Sequence, residues 1–264
     1  MAIKSPLINV MTAAAQKASR RLIRDFGEVE QLQVSKKGPA DFVSNADRMA
    51  EKTLQAELQK ARPDFGFLME EGGSIAGDGR HKWIIDPLDG TTNFLHGIPH
   101  FAISIALEQD GKLVAGVVYS PVVDEMFWAE KGTGAFLNNR RIRVSGRRDM
   151  ATALFATGIP FLGHGDHEAA LASMREVMTV SSGIRRFGSA ALDLAWVAAG
   201  RYDGFWETGL NAWDMAAGIV IAREAGAYVH DFDNRDEMLT TGAIIAANDQ
   251  LYTPLRKLLT KSAA

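Results

Sequence analysis

The pattern of the chain changes near residue 145, and that change limits the architecture more than any other feature. Before it, β-rich runs succeed one another. FAISIALEQDGKLVAGVVYS sets two of them on either side of Asp110-Gly111, a dipeptide that favours a hairpin turn. VVDEMFWAE and RIRVS extend the hairpin into an antiparallel meander. Beyond residue 150 strands and helices alternate: ALFATG, a helix through Glu168–Val180, GIRRF, a helix over Ala190–Ala199, then DGFWE. A helical Trp213–Ala225, an extended AIIAAN and a helical last dozen residues complete the series. A meander followed by alternation predicts two sheets layered with helices, an α/β chain of the layered α+β kind. The expected division is a first lobe of about residues 1–145, an antiparallel sheet with two helices, and a second α/β lobe of about 146–264.

Ahead of the meander, Leu7, Val10, Met11, Ala14, Ala18, Leu22 and Phe26 follow helical spacing, and Gly27 closes the run. Gln16, Lys17, Arg20 and Arg21 interrupt it too early for the apolar core of a signal peptide. Ser44 to Ala61 reads as a second helix, stopped by Pro63. Short apolar runs at Phe65–Met69 and Trp83–Ile85 each end in acidic residues. No apolar stretch reaches the ~18 residues of a membrane span, so no membrane partner is expected. The chain has no Cys, which excludes disulfides, a thiolate nucleophile and Cys-ligated zinc, and fits a cytoplasmic protein. A net charge of −3 gives no global basic field for nucleic acid. The local exception, Arg140, Arg141, Arg143, Arg147 and Arg148, reads as a solvated strand edge and loop.

Chemistry concentrates in WIIDPLDGTTNF, residues 83 to 94. A buried strand delivers Asp86 to a turn where Pro87 fixes the backbone, and Asp89 follows three residues later. Gly90 allows a ligand close to the main chain, and Thr91-Thr92 open a short helix whose free N–H groups suit an anion. Carboxylates for hard cations beside amide donors for phosphate are the requirements of metal-assisted phosphoryl hydrolysis. A Pro-Asp-Gly turn without function is the other reading of the same spacing.

The full string resembles the DP(I/L)DGT(T/S) signature of the inositol monophosphatase family. Further family marks stand in order: Asp41 to Asp47 within GPADFVSNAD, Glu70-Glu71, Trp213-Asp214 with Ala217-Gly218, and Glu224-Ala225-Gly226. The resemblance implies an αβαβα sandwich of the sugar-phosphatase type, with metals in a cleft between lobes. It implies that Glu70, Asp86, the Leu88 carbonyl, Asp89 and Asp214 hold two or three Mg²⁺ ions. Thr91, hydrogen-bonded to Asp47, would orient or deprotonate the attacking water, with Glu70 helping to hold it. The amides of Gly90 and Thr91 would hold the phosphate, which Leu88, Asp89 and Asp214 also surround. Gly188, Ser189, Ala190 and Glu207 match positions that contact the alcohol part of the substrate. That substrate would be a small phosphorylated polyol such as myo-inositol 1-phosphate, cleaved by a homodimer.

Each residue has a plainer role available. Glu70 and Glu71 also read as solvated residues after a strand, and Glu207 as a surface charge at a strand end. Asp47 stands three residues after Ser44, the spacing of a capping box. Asp214 suits a helix start. Four carboxylates in one cleft would repel and take up protons unless divalent cations joined them, and an all-oxygen donor set favours Mg²⁺. His164 and His167 lack a third ligand for zinc. Met69, Asn211-Ala212 and Ala227 depart from the family pattern, the second of these beside the substrate end. Histidinol phosphate, fructose 1,6-bisphosphate or a nucleotide phosphate are therefore alternative substrates. An interaction role in a transcription complex, with the arginine cluster as contact surface, is the alternative of another class.

Overall fold

In the last two long strands of the chain, alternate residues belong to different cores. Phe205, Ile244 and Ala246 face one apolar cluster, whereas Trp206, Ile245 and Ala247 face another. A strand buried on both faces must lie in a central sheet with helices on either side. The computed structural model describes residues 4–28, 34–36, 42–161, 163 and 165–261. Residues 38–41 of the acidic element at 38–47, the Ser44 side chain and His164 lie outside the described part.

Two long helices come first, α1 (Pro6–Phe26) and α2 (Asn45–Ala61). Ser5 caps α1, its hydroxyl accepting the Ile8 N–H at 3.1 Å, and Pro6 occupies the first turn. Ile8, Met11, Ala15, Ala18 and Leu22 of α1 and Ala46, Ala50, Leu54 and Leu58 of α2 make one buried stripe each. A short ribbon, β1 (Val34–Lys36) with β2 (Phe42–Ser44), lies between them in sequence.

The stripes pack on an eight-stranded sheet. Its strands are β3 (Gly66–Met69), β4 (Gly73–Ile75), β5 (His81–Asp89), β6 (Ala102–Gln109), β7 (Lys112–Ser120), β8 (Glu125–Glu130), β9 (Gly134–Leu137) and β10 (Arg140–Ile142). They lie in the order β10-β9-β8-β7-β6-β5-β3-β4, and only β3 with β5 is parallel. The meander is therefore as expected. Trp83, Ile85, Ile103, Ile105 and Val117 meet α1 and α2, while Ile84, Ala102, Ala106, Val118 and Phe127 face the other way.

The second sheet has the order β12-β11-β13-β15-β14, from β11 (Leu154–Thr157), β12 (Gly183–Arg185), β13 (Gly204–Thr208), β14 (Tyr228–His230) and β15 (Ala243–Ala247). Between the sheets lie α5 (Ala190–Ala198) and α6 (Ala212–Glu224); outside lie α4 (His167–Met178) and α8 (Asp249–Lys261). The short helices α3 (Thr91–Leu95) and α7 (Met238–Thr241) complete the set. The layers run αβαβα, as the resemblance implies. The chain passes from the first sheet to the second between Ile142 and Leu154.

Helix α6 is buried along Met215–Ala222 on every side, which explains its weak amphipathicity. Such a helix needs small residues opposite it. Gly116 of β7 stands between Ala106 of β6 and Ala129 of β8. A Cβ on Gly116 would lie 2.5 Å from the Ala217 carbonyl oxygen, which is rigid backbone. Gly116→Ala should therefore cost about 1–3 kcal/mol of overpacking, read as a lower denaturation midpoint with unchanged slope. An unchanged midpoint would mean that α6 shifts freely.

Candidate active site

Asp86 and Asp89 are three residues apart on a strand, so regular pleating would aim them at opposite faces. The structure brings them to one face by a bulge. Asp86 pairs with Ser104 and Asp89 with Ala102, so three steps along β5 match two along β6. The irregularity falls at Pro87-Leu88, where proline has no N–H for the ladder. The sequence reading ended this strand at Ile85; the structure carries it through the bulge to Asp89. Both carboxylates thereby join the face of Ala102 and Ala106, towards α6. Ser104, between them, donates its hydroxyl to the Trp213 carbonyl at 3.2 Å and so fixes the start of α6 beside Asp86.

Asp214 is the third residue of α6 and accepts the Asn211 N–H at 2.7 Å, closing a capping box. Its helix-start role and its place in the cleft coexist. Asp86 accepts the Leu88 N–H at 2.8 Å. Asp89 accepts the Ser189 hydroxyl at 2.5 Å and the Ala191 N–H at 2.8 Å, at the first turn of α5. Ser189 and Ala190, expected to meet the substrate, thus also hold Asp89 in place.

Glu70 follows β3, and one oxygen each of Asp47, Glu70 and Glu71 lie within 4.8 Å of one another. Glu71 was not among the expected ligands. Met69, the departure beside Glu70, buries its side chain with α1 and α2 and leaves the cleft alone.

Burial raises the Asp86 pKa well above the usual range, and the charges of Glu70, Asp89, Asp214 and Asp47 push it further. Asp214 is raised well above the usual range by burial and by Asp89. Asp89 rises to about 6, burial outweighing the hydrogen bonds from Ser189, Ala191 and Ala190. The sequence reading brought Asp47, Glu70, Asp86, Asp89 and Asp214 together, and the structure does the same.

A cavity of about 340 Å³ opens on Asp89 and Asp214, lined also by Gly90, Thr91, Gly188, Ser189, Ala190 and Glu207. Gly90 adopts φ 98°, and a Cβ there would come 3.0 Å from the His100 carbonyl oxygen. The Thr91 hydroxyl donates to the Leu88 carbonyl at 2.9 Å. The hydroxyl expected at Asp47 thus reaches back across the turn to Leu88. Asn93 donates to the carbonyls of His100 (2.8 Å) and Phe187 (2.7 Å), tying α3 to the 186–188 loop.

Glu207 is the last residue but one of β13 and also lines a neighbouring cavity of about 150 Å³. Burial lifts its pKa to about 8 against the pull of Arg186, which favours the neutral acid. Its carboxyl occupies space that only glycine leaves at position 158: a Cβ there would fall on the Glu207 carboxyl oxygens. Gly158→Ala should therefore displace Glu207 while the fold holds, because the tip of a flexible side chain gives way.

Arg186, Asn93 and Asp193 were not anticipated. Arg186 lines the cavity, its guanidinium lying against the α-carbon side of Gly188. Asp193 is buried in α5 with no hydrogen-bond partner on Oδ1, and burial with the charge of Glu207 raises its pKa well above the usual range. An Arg two residues before Gly188-Ser189-Ala190 was the available signal; GIRRF was read only as a strand.

The basic cluster is largely exposed, as expected. Arg147 pairs with Asp203 at 3.4 Å, and Arg141 covers Gly134. No helix among the described residues is long and apolar enough to cross a membrane.

The family model described as the inositol monophosphatase family matches residues 3–263. The inositol-1-monophosphatase of Mesorhizobium japonicum is 58% identical over 259 residues, 98% of this chain and 97% of that protein. The Nus factor SuhB of Pseudomonas aeruginosa is 46% identical over 255 residues, 95% of this chain and 94% of that protein. The crystal structure of the extragenic suppressor protein suhB from Bartonella henselae superposes with a TM-score of 0.95 at 58% identity, covering 97% of this chain and 99% of that one.

Proposed function

The chain belongs to the inositol monophosphatase family, and from that premise we propose that it is a Mg²⁺-dependent phosphatase that converts myo-inositol 1-phosphate to inositol and phosphate. The observation that carries this reading is the β5 bulge, which turns Asp86 and Asp89 to one face opposite Asp214. The donor set fits a hard divalent cation: it is all oxygen, Asp86 and Asp89 are buried, and burial together with the neighbouring carboxylates raises the pKa of Asp86 and Asp214. Glu70, Asp86, the Leu88 carbonyl, Asp89 and Asp214 would hold two or three Mg²⁺ ions. Bound there, the cations supply Lewis acidity toward the phosphoryl oxygens and the leaving alkoxide, and lower the pKa of nearby water.

The chain's own groups do the rest. Gly90 and Thr91 present main-chain N–H groups to the phosphate, in a turn whose φ of 98° at residue 90 suits glycine. Thr91, its proton directed to Leu88, keeps oxygen lone pairs to accept from water in line with phosphorus. Ser189 and the first turn of α5 keep Asp89 from swinging. Glu207 meets the ring hydroxyls as a neutral acid that both donates and accepts. No covalent phosphoenzyme is required.

Phosphate release from a panel of monoesters with Mg²⁺ tests the substrate, and Glu207 makes the test specific. Glu207→Ala should lower kcat/KM on inositol 1-phosphate about ten- to a hundredfold and leave p-nitrophenyl phosphate nearly unchanged. Gly158→Ala should shift the same ratio in the same direction, and Glu207→Gln should retain most of the activity. Equal loss on both substrates for Glu207→Ala would tie Glu207 to the metals instead. Faster cleavage of histidinol phosphate, fructose 1,6-bisphosphate or a nucleotide phosphate than of inositol phosphate would change the substrate and keep the chemistry. The same reading includes a homodimer in the cytoplasm.

A second reading, a role in a transcription complex, is favoured by the relatives named Nus factor SuhB. Salt-sensitive binding of RNA or protein that survives Asp86→Asn would support it.

A further inference from the structure

Helix α6 brings Asp214 to the catalytic cleft at its N-terminal end, and its other end walls a second cavity of about 490 Å³. Asp214 and Arg223 are nine residues apart, or about 13 Å along a helix, so the two spaces are distinct. The second cavity opens between the β6–β7 turn, the last turns of α6, and α7. Its volume falls within the range of small-molecule sites, about 300–1,000 Å³.

The polar groups on its walls can be accounted for one by one. Glu224 has both oxygens engaged, accepting the Gly132 N–H at 2.8 Å and the Gly134 N–H at 2.7 Å. Arg223 donates to the Val229 carbonyl at 2.7 Å and to Asp236 at 2.6 Å. Glu224 is thus hydrogen-bonded through both oxygens, and Asp236 is paired with Arg223 through one. Lys112 and Lys131 remain on the wall, and among the described residues neither makes an ion pair with Glu224, Asp236 or any other acid. Leu113, Val220 and Leu239 form an apolar surface beneath them.

Two free ammonium groups above an apolar surface match neither a bare inorganic ion nor a wholly apolar molecule. The ion would leave the apolar surface wet, and the apolar molecule would leave the charges unanswered. We propose that this cavity is a binding site, separate from the catalytic cleft, for a small organic anion with one anionic head group on an apolar body. The head group pairs with Lys112 and Lys131, and the body covers Leu113, Val220 and Leu239.

The test uses anilinonaphthalene sulfonate, which has that chemistry and fluoresces when its rings leave water. It is titrated into the full chain with Mg²⁺ and inorganic phosphate present to fill the catalytic cleft. One saturable site per chain is expected, weakened by added salt. The double variant Lys112→Ala, Lys131→Ala should raise the Kd at least tenfold with an unchanged melting temperature, since both side chains are exposed. Val220→Trp, which fills the floor, should abolish the enhancement. Phe161→Ser, at the mouth of the catalytic cavity, should leave it intact. A wild-type Kd in the double lysine variant overturns the site. So does displacement of the dye by inorganic sulfate alone at equal concentration, or loss of the signal in Phe161→Ser.

Discussion

Asp86→Asn is expected to lower kcat for phosphate release by about 10³-fold at saturating Mg²⁺, and to raise the melting temperature of the metal-free protein. Both effects have one cause. Asp86 is buried against Glu70, Asp89, Asp214 and Asp47, so its charge is unfavourable until cations join the group. An amide of the same shape relieves the repulsion and removes the donor. Chelation with EDTA should abolish turnover of the unmodified protein, and Mg²⁺ should restore it. Cation binding at a hundred times its Kd would stabilise the fold by about 2.7 kcal/mol, an increment the Asp86→Asn variant should largely lose. Undiminished turnover after verified metal removal would defeat the assignment.

The same carboxylates set a pH dependence with a definite sign. Asp89 moves from its ordinary value up to about 6, and Glu207 from its ordinary value up to about 8. Between the unfolded and folded values the native state binds the extra proton, so stability falls as pH rises through each window. Metal-free protein should therefore melt at a lower temperature at pH 8 than at pH 5. Saturating Mg²⁺ should flatten or reverse the trend, because the cations displace those protons. A metal-free melting temperature that rises from pH 5 to pH 8 would contradict the burial of these groups as neutral acids.

How much of this was legible in the sequence depended on the range of the signal. The sheets and their helices follow from periodicity: the two faces of Trp83-Ile84-Ile85 and of Ile244-Ile245-Ala246 can be read from adjacent residues. The carboxylates were identified, but their convergence was not derivable from spacing. A separation of three on a strand argues for opposite faces, and only the bulge at Pro87-Leu88 reverses that. The partners of Asp89 lie about a hundred positions away, on Ser189 and Ala191, where no local pattern links them. Strand β14, three residues long, carries too little periodicity to be found. Arg186 lies one residue beyond strand β12, and nothing in the local pattern of GIRRF shows that it turns to the cavity.

Thr91→Ala is expected to lower kcat about 10²-fold with little change in KM, since a group that orients water acts in the transition state more than in substrate binding. Thr91→Ser should keep most of the rate, because the hydroxyl is what Leu88 and the water share. The hydrogen bond from Thr91 to the Leu88 carbonyl decides how the proton moves. With its own hydrogen committed there, Thr91 holds water as an acceptor, and a relay through Asp47 requires the hydroxyl to rotate away from Leu88. Asp47 is buried, with an oxygen within 4.8 Å of oxygens of Glu70 and Glu71, and so stands beside the proposed cation site. On that basis Asp47→Asn should depress kcat about as far as Thr91→Ala. A role confined to the start of α2 forecasts otherwise: a loss of about 1 kcal/mol in stability with kcat intact. Melting temperature and kcat measured on Asp47→Asn separate the two. A lower melting temperature at wild-type kcat would remove Asp47 from the chemistry and leave the Thr91–Leu88 pair alone to position the water.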